Sequence, residues 1–134
     1  MLSAMTPCAT LPVTDMGRAE KYYEDTLGLN KQEGMADPGG VFYKCGNGNL
    51  FVYKSGYAGT NKATAVTFMT DNDKEFDSTV DSLRKKGVHF MTFEYEGMSW
   101  EGDVATATTE GGNSMRAVWF TDPDGNIINV GVSH

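Results

Sequence analysis

The chain has 134 residues, a formal net charge of −7 and two cysteines. That length makes one compact domain, or two half-domains sharing a core, able to bury roughly 68 to 70% of its unfolded surface without a staple. The charge argues against a nucleic-acid partner, no run approaches the roughly 18 apolar residues of a membrane span, and Cys8 and Cys45 are too few for a disulfide framework.

The N-terminal MLSAMTPCATLPV has neither a basic start nor an unbroken apolar stretch, so a cytoplasmic protein with free thiols is expected. Cys8–Val13 reads as a strand. Asp15 can cap a helix whose apolar positions Ala19, Tyr22, Tyr23, Thr26 and Leu27 keep helical spacing, and Gly28 ends it. A short strand near Leu29–Glu33 and a loop through Asp37-Pro38-Gly39-Gly40 follow. The runs VFYKC and LFVYK then flank Gly46-Asn47-Gly48-Asn49, a hairpin signal; with Asn47-Gly48 as the loop, Cys45 pairs with Leu50 and Tyr43 with Val52.

The order repeats after a linker over Ser55–Lys62. A strand is expected at Thr64–Thr70 and a helix from Asn72, with Glu75 completing a capping box. Phe76, Val80 and Leu83 form its apolar stripe, Lys85 and Lys86 suit its C-terminal dipole, and Gly87 stops it. Val88–Tyr95, Met115–Thr121 and Asn126–Val130 read as strands, the last two joined by the turn Asp122-Pro123-Asp124-Gly125. The glycine-rich stretch from Tyr95 to Ser114 reads as a long loop, functional or disordered, in which Trp100 could close over a ligand. Both halves thus read strand, helix, strand, strand, strand.

The stretches LPVTDMGRAEKYYEDTLGLN and VWFTDPDGNIINV, with the repeated order of elements, make the chain resemble the vicinal oxygen chelate superfamily of glyoxalases, bleomycin-resistance proteins and extradiol dioxygenases. The resemblance implies an α+β fold: a single domain over 1–134 made of two βαβββ modules, 1–56 and 63–134, forming a curved mixed sheet with a concave cleft. In metal-using members four strands each supply one ligand, usually His or Gln, Glu, His and Glu. Matched by motif these fall on Cys8, near Val52, near Ala65, and on Asn129, none of which suits such a metal. A metal-free member with no cofactor is therefore expected.

If Cys8 and Asn129 face the concavity, alternation brings Thr10 with Cys8, and places Thr67 and Met69 with Ala65. Tyr43 joins Val52 through the hairpin, Trp119 faces the cleft with Phe120 turned to the core, and Trp100 sits in the loop above. The expected ligand-binding set is thus Cys8, Thr10, Tyr43, Val52, Ala65, Thr67, Met69, Trp100, Trp119 and Asn129. It would stack a flat ligand, with Glu94, Glu96, Glu101 and Asp103 drawing a cation to the rim. For Tyr43 and Trp119 the competing reading is burial in a core or dimer interface. For His89 and His134 no acid–base partner is evident.

The expected function is metal-independent binding of an aromatic or cationic compound such as an antibiotic, by a homodimer. A glyoxalase-like lyase or isomerase is the alternative, with Glu96, Glu101, Cys8 or Tyr43 as acid or base. A non-catalytic interaction module is the third.

Overall fold

The computed structural model describes residues 1–35, 37–108 and 111–134. The chain is α+β, with two open sheets and few helices, and it forms two compact units: Met1–Ala65 with Asp122–Asn126, and Val66–Thr121 with Ile127–His134. No helix among the described residues is long and apolar enough to cross a membrane.

In the first unit, β1 (Ala9–Val13) leads to helix α1 (Met16–Lys21), which Asp15 caps by accepting the Arg18 N–H at 2.9 Å. The helix widens into a π-helical turn over Tyr22–Thr26 and ends at Gly28, whose φ of 74° is a left-handed value that glycine adopts without strain. β2 (Asn30–Lys31), β3 (Gly40–Cys45) and β4 (Gly48–Lys54) follow, giving the order β1-β4-β3-β2 with β1 parallel to β4. This is the expected strand, helix, strand, strand, strand sequence.

The hairpin differs in its turn. Cys45 pairs with Gly48 and Tyr43 with Leu50, so the loop is Gly46-Asn47 rather than Asn47-Gly48. Gly46 takes the left-handed conformation, φ 52°, where a glycine costs least, and Gly48 enters the strand.

Beneath α1 the core contains Leu11, Val13, Tyr23, Tyr43, Leu50 and Val52, each at most 1% exposed. The two tyrosines stack with centroids 6.0 Å apart, and each finds a carboxylate: Tyr23 donates to Asp122 at 2.7 Å and Tyr43 to Glu24 at 3.0 Å. Burial, reinforced by these carboxylates, raises both phenol pKa values far above the usual range, so both hydroxyls keep their protons. Asp122 also accepts from the backbone of Asp124 and Asn126 and from the Asn126 amide, which itself donates to the Pro12 carbonyl. The Asp-Pro-Asp-Gly turn is thus built around a buried, fully bonded carboxylate, and Asp124 extends it by accepting from Thr14 and Arg18.

The second unit begins within β5 (Thr64–Met69), at Val66, and α2 (Asp73–Lys85) follows. The Asn72 side chain caps the Glu75 N–H at 2.8 Å, while Glu75 reaches back to the Asp71 N–H, one residue beyond the expected box partner. Val88 N–H to Leu83 C=O and Gly87 N–H to Arg84 C=O close the helix as a Schellman motif, with Gly87 at φ 86°. Phe76, Val80 and Leu83 are buried as the apolar stripe requires, and Val118, Phe120, Ile128, Val130 and Val132 supply the sheet's share of the core.

Here the chain departs from the expected module. Over Val88–Tyr95 only Met91 makes a strand-like bridge, to Trp119. The segment expected as a loop instead holds β6 (Met98–Glu101) and β7 (Val104–Thr108), paired around a two-residue turn at Gly102-Asp103. Gly102 there has φ 63°, and the alternation Val104-Ala105-Thr106-Ala107-Thr108 suits a strand. Residues 109 and 110 of that expected loop lie outside the described residues. With β8 (Ser114–Thr121) and β9 (Ile127–Ser133) the sheet order is β5-β9-β8-β7-β6.

His134 also departs from expectation. Its Nε2 meets Asp73 at the start of α2, and its Nδ1 lies 3.1 Å from the Ser114 hydroxyl. Arg116 lies over the Phe76 ring at 4.8 Å while bonding Asp73 at 3.0 Å and Asp77 at 2.9 Å. Together these groups tie the last strands to α2.

Candidate functional site

Alternation along β8 sends Arg116, Val118 and Phe120 toward α2 and leaves Met115, Ala117 and Trp119 on the other face. The antiparallel register carries that open face across the sheet. Ala117 stands opposite Ala105 and Gly131, Trp119 opposite Asn129, and Met98 and Trp100 opposite Ala107 and Ala105. Small residues thus alternate with large ones, and a hollow of about 70 Å³ opens among Met98, Ala105, Ala107, Met115, Ala117 and Trp119. Met69 borders the same face, its sulfur 3.5 Å from where a Gly131 Cβ would stand, and is 54% exposed.

Three aromatic rings define the far side. Phe93 meets Trp100 edge-on at 5.3 Å and Trp119 at 5.0 Å, and the two indoles are 6.1 Å apart. All three remain half-buried, so ring surface stays accessible. An open cleft of about 390 Å³ adjoins them, lined by Thr92, Phe93, Glu94, Trp100 and Gly102. A bidentate ion pair between Arg84 and Asp103 fastens the β6–β7 turn, and therefore Gly102, to α2. Hydrogen bonding to Arg84 holds the Asp103 carboxyl below the usual carboxylate range.

The match to known proteins covers nearly the whole chain: the family model described as the Glyoxalase/Bleomycin resistance protein/Dioxygenase superfamily matches residues 6–130. The chain belongs to that superfamily. A search of the curated proteins gave no match. Among solved structures, a glyoxalase/bleomycin resistance protein/dioxygenase from Alicyclobacillus acidocaldarius is similar at 14% identity and a TM-score of 0.69, over 96% of this chain and 90% of that one. A lactoylglutathione lyase from Agrobacterium tumefaciens is similar at 20% identity and a TM-score of 0.67, over 96% and 93%. A fosfomycin resistance protein from Mesorhizobium loti is similar at 16% identity and a TM-score of 0.63, over 98% and 93%. At these identities the likeness concerns the fold.

Glyoxalase-superfamily metal sites, as the resemblance describes them, need imidazole and carboxylate donors, and the chain's residues do not fit one. Among the described residues no three His, Cys, Asp or Glu side chains gather where they could hold an ion. Asn129 is 4% exposed and donates its amide to the Val118 carbonyl at 3.0 Å, a bond that commits the side chain to the sheet. Cys8 is exposed, its thiol directed to the Asn49 carbonyl at 3.2 Å, and Thr10 donates to the Cys8 carbonyl at 3.1 Å. Cys45 is a free thiol whose pKa is raised, first by burial and then by Cys8.

Two expected cleft residues lie elsewhere. Tyr43 and Val52 are both 0% exposed on the helix side of the first sheet. The cause is the parallel pairing: Leu11 lies opposite Val52, so Val52 must share Leu11's inward face. Leu50 is buried with them. The outward face of the first sheet carries Phe42, Phe51 and Tyr53 instead, with Phe51 4.4 Å from Phe42 and parallel to Tyr53 at 5.7 Å. Sequence reasoning missed this aromatic row, although the alternation in VFYKC and LFVYK contained it. It missed Phe93 as well, because the local pattern over Val88–Tyr95 predicts a plain strand. Of the remaining expected residues, Trp100, Trp119 and Asn129 come together on the second sheet, Met69 borders them, and Thr67 and Ala65 lie along β5.

Proposed function

We propose that this protein binds a small aromatic or cationic organic compound, such as an antibiotic, without a metal, and sequesters it rather than transforming it. The observation that carries the reading is the accessible Phe93–Trp100–Trp119 cluster beside a face of alanines, glycine and methionines. Such a surface offers stacking area and few polar anchors, as small-molecule sites usually do. Support comes also from the donor set, in which Asn129 stands at, and Ala65 near, positions that the resemblance assigns to chelating residues. Likeness to a fosfomycin resistance protein is compatible with a resistance role. The enzymatic alternative is weakened at Tyr43, whose buried hydroxyl keeps its proton and is held in a hydrogen bond to Glu24. A cytoplasmic homodimer is part of the proposal.

A native mass spectrum of the protein purified from cells tests it. The expected result is a dimer without a stoichiometric divalent ion, carrying an organic molecule that the Trp119→Ala variant fails to retain. One divalent ion per chain that survives dialysis would overturn metal independence, and a monomeric mass would overturn the dimer.

A further inference from the structure

The cleft lined by Thr92, Phe93, Glu94, Trp100 and Gly102 has a chemistry more specific than an apolar face. Its walls are two aromatic rings, and among the described residues the one lining carboxylate belongs to Glu94. Between Lys86 and Arg116 the sequence has no lysine or arginine, but it has Glu94, Glu96, Glu101, Asp103 and Glu110. Asp103 is neutralised by Arg84 in a two-point ion pair, whereas among the described residues Glu94 has no ion pair.

We infer that this cleft is a subsite for an organic ammonium group carried on an apolar body, with the cation over the Phe93 and Trp100 rings and its charge balanced by Glu94. This rests on the small-molecule reading above and names the charge that its ligand carries. Ring faces attract a cation through their quadrupole, and attraction grows as water is displaced. A neutral ligand would gain the same stacking but would shield Glu94 from water without compensation. An anion would meet uncompensated negative charge. Gly102 leaves the entrance open, since a Cβ at that position would have no atom within 4 Å, and the Arg84–Asp103 pair keeps the turn that carries it in place.

The test compares 4-(trimethylammonio)phenol with its uncharged isostere 4-tert-butylphenol. Binding is followed by the fluorescence of Trp100 and Trp119, the two tryptophans of the chain. The cation should bind about tenfold more tightly, and added salt should narrow that ratio. Glu94→Gln should remove most of it while leaving the affinity for 4-tert-butylphenol unchanged. Because Glu94 is exposed, that variant keeps its fold, which circular dichroism verifies. Equal affinity for the two phenols overturns the cation preference and leaves the aromatic binding face standing. Binding of neither phenol overturns both. A ratio unaffected by Glu94→Gln removes Glu94 from the site.

Discussion

The two sheets put their aromatic residues to different uses. In the first, Tyr43 is sealed against Tyr23 of the π-helical turn with both hydroxyls bonded, and the outward row of Phe42, Phe51 and Tyr53 packs ring against ring. In the second, Trp100 and Trp119 alternate with Ala105, Ala117 and Gly131 along the open face, so the large rings have hollows beside them. A pocket thus arises where large and small residues alternate across neighbouring strands, and a continuous aromatic row fills its own space. The number of aromatic residues matters less than what stands next to them.

The contrast breaks first at the buried tyrosines. Tyr43→Ala should cost about 3 to 5 kcal/mol, comparable to emptying any large buried ring, and should strand the Glu24 contact. Trp119→Ala, on the open face, should cost about 1 to 2 kcal/mol, mostly lost ring contacts. Urea unfolding midpoints measure both, and equal losses would abolish the distinction between a structural and a ligand-facing aromatic.

An effect smaller than that at Tyr43 is expected from adding atoms. A Cβ at Gly40 would lie 2.4 Å from the Val52 carbonyl oxygen and 2.8 Å from the Phe51 ring, so Gly40→Ala should destabilise by about 1 to 3 kcal/mol. Ala107→Leu, which points into the hollow of the second sheet, should change stability by less than about 0.5 kcal/mol while weakening binding of a stacked ligand. A large loss of stability from Ala107→Leu would show that the hollow is not available space.

The smallest difference concerns acid. Hydrogen bonds from Arg116 and His134 lower the Asp73 pKa, and that from Arg84 lowers Asp103. A carboxylate with a depressed folded pKa contributes stability above its unfolded value, about 3.9, and that contribution fades as pH falls through the folded value. Asp73→Asn should therefore unfold at lower denaturant than the parent at pH 6, and the gap should close by about pH 2. A gap that persists there would mean the residue acts through packing or capping rather than charge.

The α+β class, both helices with their caps and glycine stops, the Asp-Pro-Asp-Gly turn and the family were legible in the residues alone. The family rests on two motif stretches and the repeated order of elements, and the rest on signals a few residues apart: Asp15 and Asn72 as caps, Gly28 and Gly87 as terminators, alternation along one strand. Even the inward Phe120 and outward Trp119 follow from β8 alone. What lay beyond reach depended on pairing between distant segments. Whether Val52 faces out with Thr10 or in with Leu11 is a one-residue question of parallel register between β1 and β4, and nothing in either strand states it. The β6–β7 hairpin took its place because Gly102 could turn and the β-branched alternation could pair with β8, at the expense of Val88–Tyr95, which local pattern alone had favoured. Which rings meet is likewise set by the folded chain, since Phe93, Trp100 and Trp119 are neighbours through pairing geometry and not through spacing in the sequence.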